Sequence, residues 1–421
     1  MNRIGSQRRV FRELLGRLRP HWRLDPALPA RIERLLGGDR RLGSRDRRLY
    51  RELIYTTLRH LPWIEPLLES MAPAAPGPGD EPALPERVIA WLAADTPATH
   101  AFRAELAGDF PPAAPASVAG RAAILASLAG LSRLPSLLPD WIESECPGIL
   151  DSPDYDALNS RAPLWLRLQS GNRAEVLGEF ARLGWDAAES ALLPGAVAIR
   201  GEADVLSTEA CKAGRVEVQD LGSQLILEAV GVAPGGAWLD ACAGAGGKSL
   251  QLAALLGPGG RVEAHDIRPA ALGELARRAR RAGFSGRIRT TASPKGPYDG
   301  VLVDAPCSGS GTWRRSPHLK WVTRPAGVRA FARRQLALLD RFAPLVRTGG
   351  LLVYATCSLC RSENEEVVRI FLSGHPGFEP AGWAREFTGE RRESALLFRP
   401  AAHDGDGFFA ACLRRSGRGS P

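Results

Sequence analysis

The sequence predicts a doubly wound α/β fold that follows a helical N-terminal region and a small α/β module. After Gln219, strand-like and helix-like runs alternate, as in a mainly parallel sheet. A glycine-rich turn, "DACAGAGGK", follows the first of these strands. Before Ser70, apolar residues recur at intervals of three and four, the spacing of amphipathic helices. We therefore predict three segments, at residues 1–158, 159–215 and 216–415.

Basic residues are concentrated at the start of the chain. Residues 1–70 hold 16 Arg against 8 Asp plus Glu, and the whole chain of 421 residues has a formal net charge of +9. Arginine neutralises phosphates and releases their counterions, so this excess is consistent with a polyanionic partner such as RNA. A solvated helical surface explains the same charges, and both interpretations stay open.

Composition also indicates the cellular compartment and the class of protein. No uncharged apolar run reaches the roughly 18 residues of a membrane span. The arginine-rich start lacks the apolar core of a secretory signal. Seven cysteines, an odd number scattered over a long chain, do not resemble a disulfide framework. We therefore expect a cytoplasmic monomer with reduced thiols and no membrane partner.

The elements of the two later segments follow from short apolar runs. Residues 159–215 read as strand, helix and strand in "APLWLRLQ", "NRAEVLGEFARLG" and "GAVAIRG". A third strand of the C-terminal sheet lies within "GRIRTTAS", where the pattern is weakest. Its other strands are predicted in "AWLDAC", "RVEAHDI", "YDGVLVDAPC", "GGLLVYATCS", "SALLFRP" and "GFFAACLRR".

Three ligands compete for the glycine-rich turn. An ATPase phosphate loop needs glycine where Cys242 stands, and a dinucleotide fingerprint needs glycine where Ser249 stands. A nucleoside remains, because Asp266, 20 residues after Gly246, can accept hydrogen bonds from ribose hydroxyls. S-adenosylmethionine is such a ligand. A tight turn without a ligand is the alternative.

Lysine at a helix start opposes the helix dipole. We therefore expect Lys248, directly after the glycines, to contact a ligand, although an exposed lysine is the simpler alternative.

Cys307 and Cys357 each follow a strand-like segment, so a doubly wound sheet would bring both beside the glycine-rich turn. Two thiols suit methylation of cytosine carbon 5. A thiolate adds to carbon 6 and makes carbon 5 nucleophilic, and a second group then assists release. Asp304 can hydrogen-bond the ring nitrogen if it is protonated or shares a proton.

A nucleophilic thiol needs an electropositive or helix N-terminal setting. Cys357 has one if Ser362 and Glu365 form a capping box behind it. Cys360 makes a C-x-x-C pair with Cys357, which leaves a redox or zinc protein as an alternative, but no second ligand pair is present and we expect no metal. Small buried hydrophobes are predicted at Cys146, Cys211, Cys242 and Cys412.

Four motifs together resemble the Nop/Sun family of RNA cytosine-5 methyltransferases: "DACAGAGGK", "LVDAPCSGSGTWRRSPHLKW", "YATCSLCRSENEEVV" and "DGDGFFAACLRR". Within it, the chain is most similar to the bacterial Sun (RsmB-like) branch, which acts on small-subunit ribosomal RNA. The resemblance implies a Rossmann-like methyltransferase domain after an RRM-like module and an all-α, NusB-like RNA-binding domain.

The resemblance also implies roles for individual residues. Cys357 would be the nucleophile, and Cys307 would help to release the methylated product. S-adenosylmethionine and the target base would be surrounded by Asp266, Asp304 and the loop Cys242, Ala243, Gly244, Ala245, Gly246, Gly247 and Lys248. Three features depart from the family pattern, and one is the loop "CAGAGGK", which replaces the commoner alanine-proline version. Ala292 and Ser293 stand where an acidic residue usually contacts adenine, and Cys360 replaces an aliphatic residue.

The expected activity is that of an RNA (cytosine-5-)-methyltransferase with ribosomal RNA as its partner. Transfer RNA as the substrate is one alternative. The other is a non-catalytic RNA-binding protein like a termination factor, which would lack Cys357 or Asp304, and both residues are present.

Overall fold

The computed structural model describes residues 3–69, 81–130, 134–169 and 173–417. The chain forms two compact units: unit 1 holds Met1–Arg161 and Trp313–Thr323, and unit 2 holds Ala162–Thr312 and Arg324–Pro421. Within the described ranges, no helix combines the length and apolar character needed to cross a bilayer.

Unit 1 is helical in its described residues, which confirms the amphipathic helices predicted before Ser70. Their apolar faces bury one core that includes Phe11, Leu49 and Trp91. Numbered along the chain, its helices are α1 (Arg3–Leu18), α2 (Leu28–Gly38), α3 (Ser44–Arg59), α4 (Leu61–Glu69), α5 (Leu84–Leu92), α6 (His100–Leu106), α7 (Val118–Ala129), α8 (Ile142–Glu145), α9 (Pro153–Leu158) and α15 (Leu319–Val322).

The short helix α15 is held inside unit 1 by a buried lysine. Lys320 Nζ donates to the carbonyl oxygens of Arg59 at 2.9 Å and Leu137 at 3.1 Å, and to Asn159 Oδ1 at 2.7 Å. Desolvation lowers the pKa of Lys320 well below its usual value. Although residues 313–323 follow the Pro-Cys motif in the sequence, they pack within the helical unit.

The first part of unit 2 is a four-stranded antiparallel sheet with the order β2-β3-β1-β4. Its strands are β1 (Leu164–Leu168), β2 (Asp186–Glu189), β3 (Ala196–Arg200) and β4 (Val216–Val218), with helix α10 (Arg173–Arg182) between β1 and β2. Residues of β1, α10 and β3 pack in one core. The predicted strand, helix and strand are confirmed. The sequence missed β2, which is largely exposed and lacks an apolar alternation, and the short β4.

A nine-stranded sheet forms the rest of unit 2, with the order β11-β12-β13-β9-β8-β5-β6-β7 and with β10 paired to β13. Strands β7, β6, β5, β8 and β9 are parallel, and the others join antiparallel. The strands are β5 (Gly236–Asp240), β6 (Gly260–Ala264), β7 (Ile288–Thr290), β8 (Tyr298–Asp304), β9 (Val346–Thr356), β10 (Phe378–Pro380), β11 (Glu390–Arg392), β12 (Ala395–Phe398) and β13 (Phe408–Arg415).

This sheet confirms the predicted Rossmann-like α/β fold, including the third strand, β7. The remaining helices are α11 (Glu209–Lys212), α12 (Leu221–Val230), α13 (Gly247–Leu256), α14 (Pro269–Arg281), α16 (Pro325–Phe342), α17 (Glu365–Gly374) and α18 (Pro400–His403). The structure defines no separate boundary near residue 215, so the three-segment division stays a prediction.

The order of the parallel strands places a crevice at one edge of the sheet. Strand β5 lies between β6 and β8, so the chain builds β6 and β7 on one side of β5 and then crosses to the other side for β8. Open α/β sheets bind ligands at such a point, outside the carboxyl ends of the strands. Asp240 of β5 is in register with Leu302 of β8, and Asp304 with Ala355 of β9. The glycine-rich turn, Asp304 and the two cysteine loops therefore meet at this edge.

Candidate functional site

The glycine-rich turn joins β5 to α13 and needs its glycines at two positions. Gly244 and Gly246 have φ values of 53° and 90°, in the left-handed region. A Cβ at Gly246 would lie 2.6 Å from Leu275 Cγ, so no larger residue fits there. Ser249 Oγ donates to Asp240 Oδ2 at 2.6 Å, which ties the first turn of α13 to the end of β5.

Asp266 is the acidic side chain that faces this turn. Its Oδ2 accepts a hydrogen bond from the Gly244 amide at 2.8 Å, and the backbone and side chain of Arg268 donate to both of its oxygens at 2.9–3.0 Å. Burial opposes ionisation, but these hydrogen bonds outweigh it and lower the pKa of Asp266 to about 2. Asp266 is therefore a carboxylate at neutral pH, an acceptor for hydroxyl donors.

A cavity of about 540 Å³ opens beside the turn. Of the predicted residues, six line it: Cys242, Ala243, Gly244, Ala245, Asp266 and Asp304. The other lining residues are Ala241, His265, Ile267, Arg268, Ala305, Pro306, Arg334, Leu338, Arg341 and Phe342. Gly246, Gly247, Lys248, Ala292 and Ser293 are not among them. The sequence missed the wall supplied by α16, because no motif marks the residues of that amphipathic helix.

Lys248 contacts a carboxylate of the same site. Its side chain is only 7% exposed, and its Nζ donates to Asp304 Oδ2 at 2.8 Å. The ammonium also lies 4.9 Å from the centroid of the Phe408 ring, a cation–π distance. The Lys248 side chain is thus buried and paired rather than extended into solvent. This excludes the alternative that Lys248 is an exposed lysine.

The two cysteines predicted to act together are in contact. Cys307 Sγ and Cys357 Sγ lie 3.3 Å apart, and both residues are half-buried. The Ala305 amide donates to the Ala355 carbonyl at 2.8 Å, and the Gly311 amide donates to the Cys357 carbonyl at 3.0 Å. The contact with Cys357, followed by burial, raises the pKa of Cys307 well above its usual value. Either sulfur of this pair can donate the hydrogen bond.

A buried carboxyl group links the two cysteine loops. Glu363 is fully buried. Its carboxyl group accepts hydrogen bonds from the backbone amide and hydroxyl of Ser308, the hydroxyl of Ser358 and the side-chain amide of Gln335, at 2.5–3.1 Å. Desolvation raises its pKa. The sequence missed this residue, although its two serine partners directly follow the predicted cysteines.

The predicted capping box of Ser362 with Glu365 is wrong. Residues Arg361–Glu363 form a 3₁₀ turn, and α17 begins at Glu365 after Asn364, whose side chain makes no cap hydrogen bond. The local S-x-x-E pattern is overridden because the preceding turn directs Glu363 to the serines of the two cysteine loops.

The other cysteines divide into two groups. Cys146, Cys211 and Cys412 are buried, as predicted, whereas Cys242 is half-buried and lines the cavity, so its assignment as a small buried hydrophobe is wrong. Cys360 is buried, with its Sγ 3.5 Å from Ser310 Oγ. Among the described residues, no His, Cys, Asp and Glu side chains cluster in a way that could hold a metal ion.

Comparisons with known proteins find similarity to ribosomal RNA methyltransferases. Residues 229–414 match a family described as 16S rRNA methyltransferase RsmB/F. The chain is 33% identical to a probable ribosomal RNA small subunit methyltransferase B of Bacillus subtilis, over 66% of each protein. The chain is 32% identical to the probable ribosomal RNA small subunit methyltransferase B of Synechocystis sp., over 66% of this chain and 67% of that protein.

In another relative, the matched region covers a smaller share of the protein. The Escherichia coli K12 ribosomal RNA small subunit methyltransferase B is 32% identical over 61% of each protein. The chain thus matches slightly less than two thirds of the Bacillus subtilis and Escherichia coli relatives.

Solved structures agree with the fold. The crystal structure of PH0851 covers 99% of both chains with a TM-score of 0.72 and 23% identity. NSun6 from Pyrococcus horikoshii, solved with SFG, covers 62% of this chain and 92% of its own, with a TM-score of 0.56 and 18% identity. At such identities the likeness concerns the fold alone. From the sequence matches and the motifs that form the site, the chain belongs to the RsmB/F family of 16S ribosomal RNA methyltransferases.

Proposed function

We propose that the protein transfers a methyl group from S-adenosylmethionine to carbon 5 of a cytosine in small-subunit ribosomal RNA, through a covalent cysteine–cytosine intermediate. The observation that carries the proposal is the contact of two cysteine sulfurs, 3.3 Å apart, on loops that follow adjacent parallel strands. The family supports ribosomal RNA as the substrate, and Pro306, directly before Cys307, lines the cavity.

The polar and apolar residues that line the cavity fit the chemistry of S-adenosylmethionine. Asp266 offers an ionised carboxylate to the ribose hydroxyls, and its present partner Arg268 is 67% exposed and can leave at small cost. Ile267 and Phe342 supply apolar surface for the adenine, where Ala292 and Ser293 supply no acidic contact. When bound, S-adenosylmethionine supplies an electrophilic methyl group on a sulfonium centre.

The two cysteines divide the chemistry between them. We assign Cys357 as the nucleophile and Cys307 as the group that assists release, and their sulfurs at 3.3 Å are close enough to pass a proton between them. The Cys357 thiolate forms a bond to cytosine carbon 6, and the electrons of the 5,6 double bond shift toward the ring nitrogen and carbon 5. Carbon 5 thereby becomes able to accept the methyl group.

Lys248 and Asp304 stabilise the charge that the addition places on the ring. We assign the Lys248 side chain, which Asp304 holds at 2.8 Å, as a hydrogen-bond donor to the ring. The sequence left open whether Asp304 is protonated or shares a proton, and this stays a prediction.

Release requires removal of the carbon 5 proton after methyl transfer. We assign this step to Cys307 in its deprotonated form, after it has passed its own proton to solvent or to a neighbouring group. The electron pair of the covalent bond between carbon 5 and its hydrogen re-forms the 5,6 double bond, and Cys357 leaves carbon 6 as a thiolate. The ring is again aromatic, Cys307 carries the proton taken from carbon 5, and Cys357 is a thiolate, as both were before the reaction.

The remaining parts of the chain would hold the RNA. We propose that the helical unit is a NusB-like RNA-binding domain and that the four-stranded sheet is an RRM-like module. The 16 arginines of residues 1–70 support a role in binding phosphates. A cytoplasmic, monomeric protein remains the prediction.

Identification of the product tests the proposal. Purified protein is incubated with unmodified small-subunit ribosomal RNA and methyl-labelled S-adenosylmethionine, and nucleosides from the digested RNA are separated by mass spectrometry. We expect label in 5-methylcytidine, and no label in a reaction without protein. Label on another base or on ribose would refute the carbon 5 chemistry, and label confined to a transfer RNA added in parallel would refute the substrate.

The ribose contact gives a prediction for cofactor affinity. Asp266→Asn should weaken S-adenosylmethionine binding about 10- to 100-fold, because loss of a hydrogen bond to a charged group costs about 1.5–3 kcal/mol. Isothermal titration calorimetry measures this affinity without RNA. Asp340→Asn is the matched control, since Asp340 is about half exposed and lies outside the cavity. Equal affinities in the two variants would remove Asp266 from the cofactor site.

A further inference from the structure

We infer that Glu363 is a positioning residue that holds the loops of Cys307 and Cys357 in register, so that the two sulfurs stay in contact. The inference deepens the proposed function and rests on it for its catalytic consequence. Its geometric claim concerns only the distance between the sulfurs. Glu363 makes no contact with the cavity that would take the methyl donor.

The contacts of Glu363 reach both loops. On the Cys307 side, Ser308 donates from its amide to Oε1 at 2.8 Å and from its hydroxyl to Oε2 at 2.5 Å. On the Cys357 side, the Ser358 hydroxyl donates to Oε2 at 2.6 Å. Each serine is the residue directly after a cysteine, so one carboxyl group fixes the backbone at both sulfur-bearing positions.

Further hydrogen bonds make the arrangement rigid. Gln335 Nε2 donates to Glu363 Oε1 at 3.1 Å and to the carbonyl oxygen of Pro306 at 3.0 Å, so the residue before Cys307 is tied to the same group. The Tyr354 hydroxyl donates to the Glu363 carbonyl at 2.5 Å, which fixes the backbone of Glu363 itself. The network thus reaches both sides of Cys307 and the residue after Cys357.

The site is built for a carboxyl group that only accepts hydrogen bonds. The Ser308 amide and the Gln335 side-chain amide can only donate to Glu363 Oε1, and both serine hydroxyls point their hydrogens at Oε2. A glutamine at this position has the same shape but no charge, and its NH₂ group at the Oε2 position would make both serine hydroxyls turn from donors into acceptors. Glu363→Gln therefore weakens the network without leaving a cavity.

The two sulfurs provide a readout that does not depend on RNA. Diamide oxidises a pair of neighbouring thiols to a disulfide and takes up their two hydrogens and two electrons, and the rate depends on how often the sulfurs meet. In the unaltered protein the Cys307–Cys357 disulfide should form readily. Glu363→Gln should slow its formation about tenfold, equivalent to about 1.4 kcal/mol. Non-reducing peptide mass spectrometry follows the linked peptide.

Glu366→Gln is the matched control, because Glu366 lies in α17, three residues after Glu363, is 45% exposed and pairs only with Arg361 in the described contacts. It should cross-link at the rate of the unaltered protein. Affinity for S-adenosylmethionine, measured by calorimetry, should be the same in both variants if the cavity is intact. With ribosomal RNA, Glu363→Gln should lower kcat about tenfold and leave KM unchanged.

A second variant covers the case in which Glu363→Gln does not fold. Ser358→Ala removes one arm of the network and leaves the Ser308 arm, so cross-linking should slow by a smaller factor. Disulfide formation at the unaltered rate in a folded Glu363→Gln or Ser358→Ala protein would overturn the inference. Slowed cross-linking in a protein that methylates no RNA would instead overturn the proposed function and uphold the geometric claim.

Discussion

Replacement of Cys357 by alanine should lower methyl transfer to ribosomal RNA by about a thousandfold or more, because the covalent bond to carbon 6 cannot form. No protein–RNA adduct should survive denaturation. Incorporation of labelled methyl groups measures the rate, and denaturing gel electrophoresis detects the adduct. The affinity for S-adenosylmethionine should not change, since Cys357 does not line the cavity.

Cys211→Ala is the control for loss of a thiol, because Cys211 is buried in the core beside the four-stranded sheet. It should retain activity. If the Cys357 variant methylated RNA at a rate comparable to this control, covalent catalysis by Cys357 would be excluded.

Replacement of Cys307 by alanine should have the opposite effect on the adduct. Cys357 can still add to the ring and the methyl group can still be transferred, but the carbon 5 proton has lost the base proposed to remove it. The protein–RNA adduct should therefore accumulate until most of the protein is linked to RNA, while multiple turnover stops. Denaturing gels of the protein incubated with RNA and S-adenosylmethionine measure this accumulation.

The double variant Cys307→Ala with Cys357→Ala should form no adduct, which shows that the linked sulfur is that of Cys357. An adduct that appears in the Cys357 variant and is absent from the Cys307 variant would reverse the two roles. The contact of 3.3 Å between the sulfurs fits either assignment, so the adduct decides between them.

Sequence patterns alone predicted the parts of this protein that depend on local structure. Alternating apolar runs predicted the α/β sheet, because the periodicity of strands and helices is written in neighbouring residues. The glycines at Gly244 and Gly246 predicted the turn, since both adopt a left-handed backbone. The cysteines after β8 and β9 could be placed together because parallel strands end at one edge of a sheet.

Local patterns failed where a distant contact decided the outcome. Ser362 and Glu365 have the spacing of a capping box, but α17 begins after Asn364. Cys242 resembles a small core residue, yet the turn that follows β5 exposes it to the cavity. In both cases the preference of a few residues is worth less than the packing around them.

Only the tertiary structure decided which side chains complete the site. Glu363 meets Ser308 across 55 positions of sequence, and Lys248 meets Asp304 across 56. The same holds for the α16 wall of the cavity and for Lys320, whose three acceptors lie in the helical unit. No periodicity or motif encodes such pairs, because they form only when hydrophobic burial brings distant segments together and each buried polar group must then find a partner.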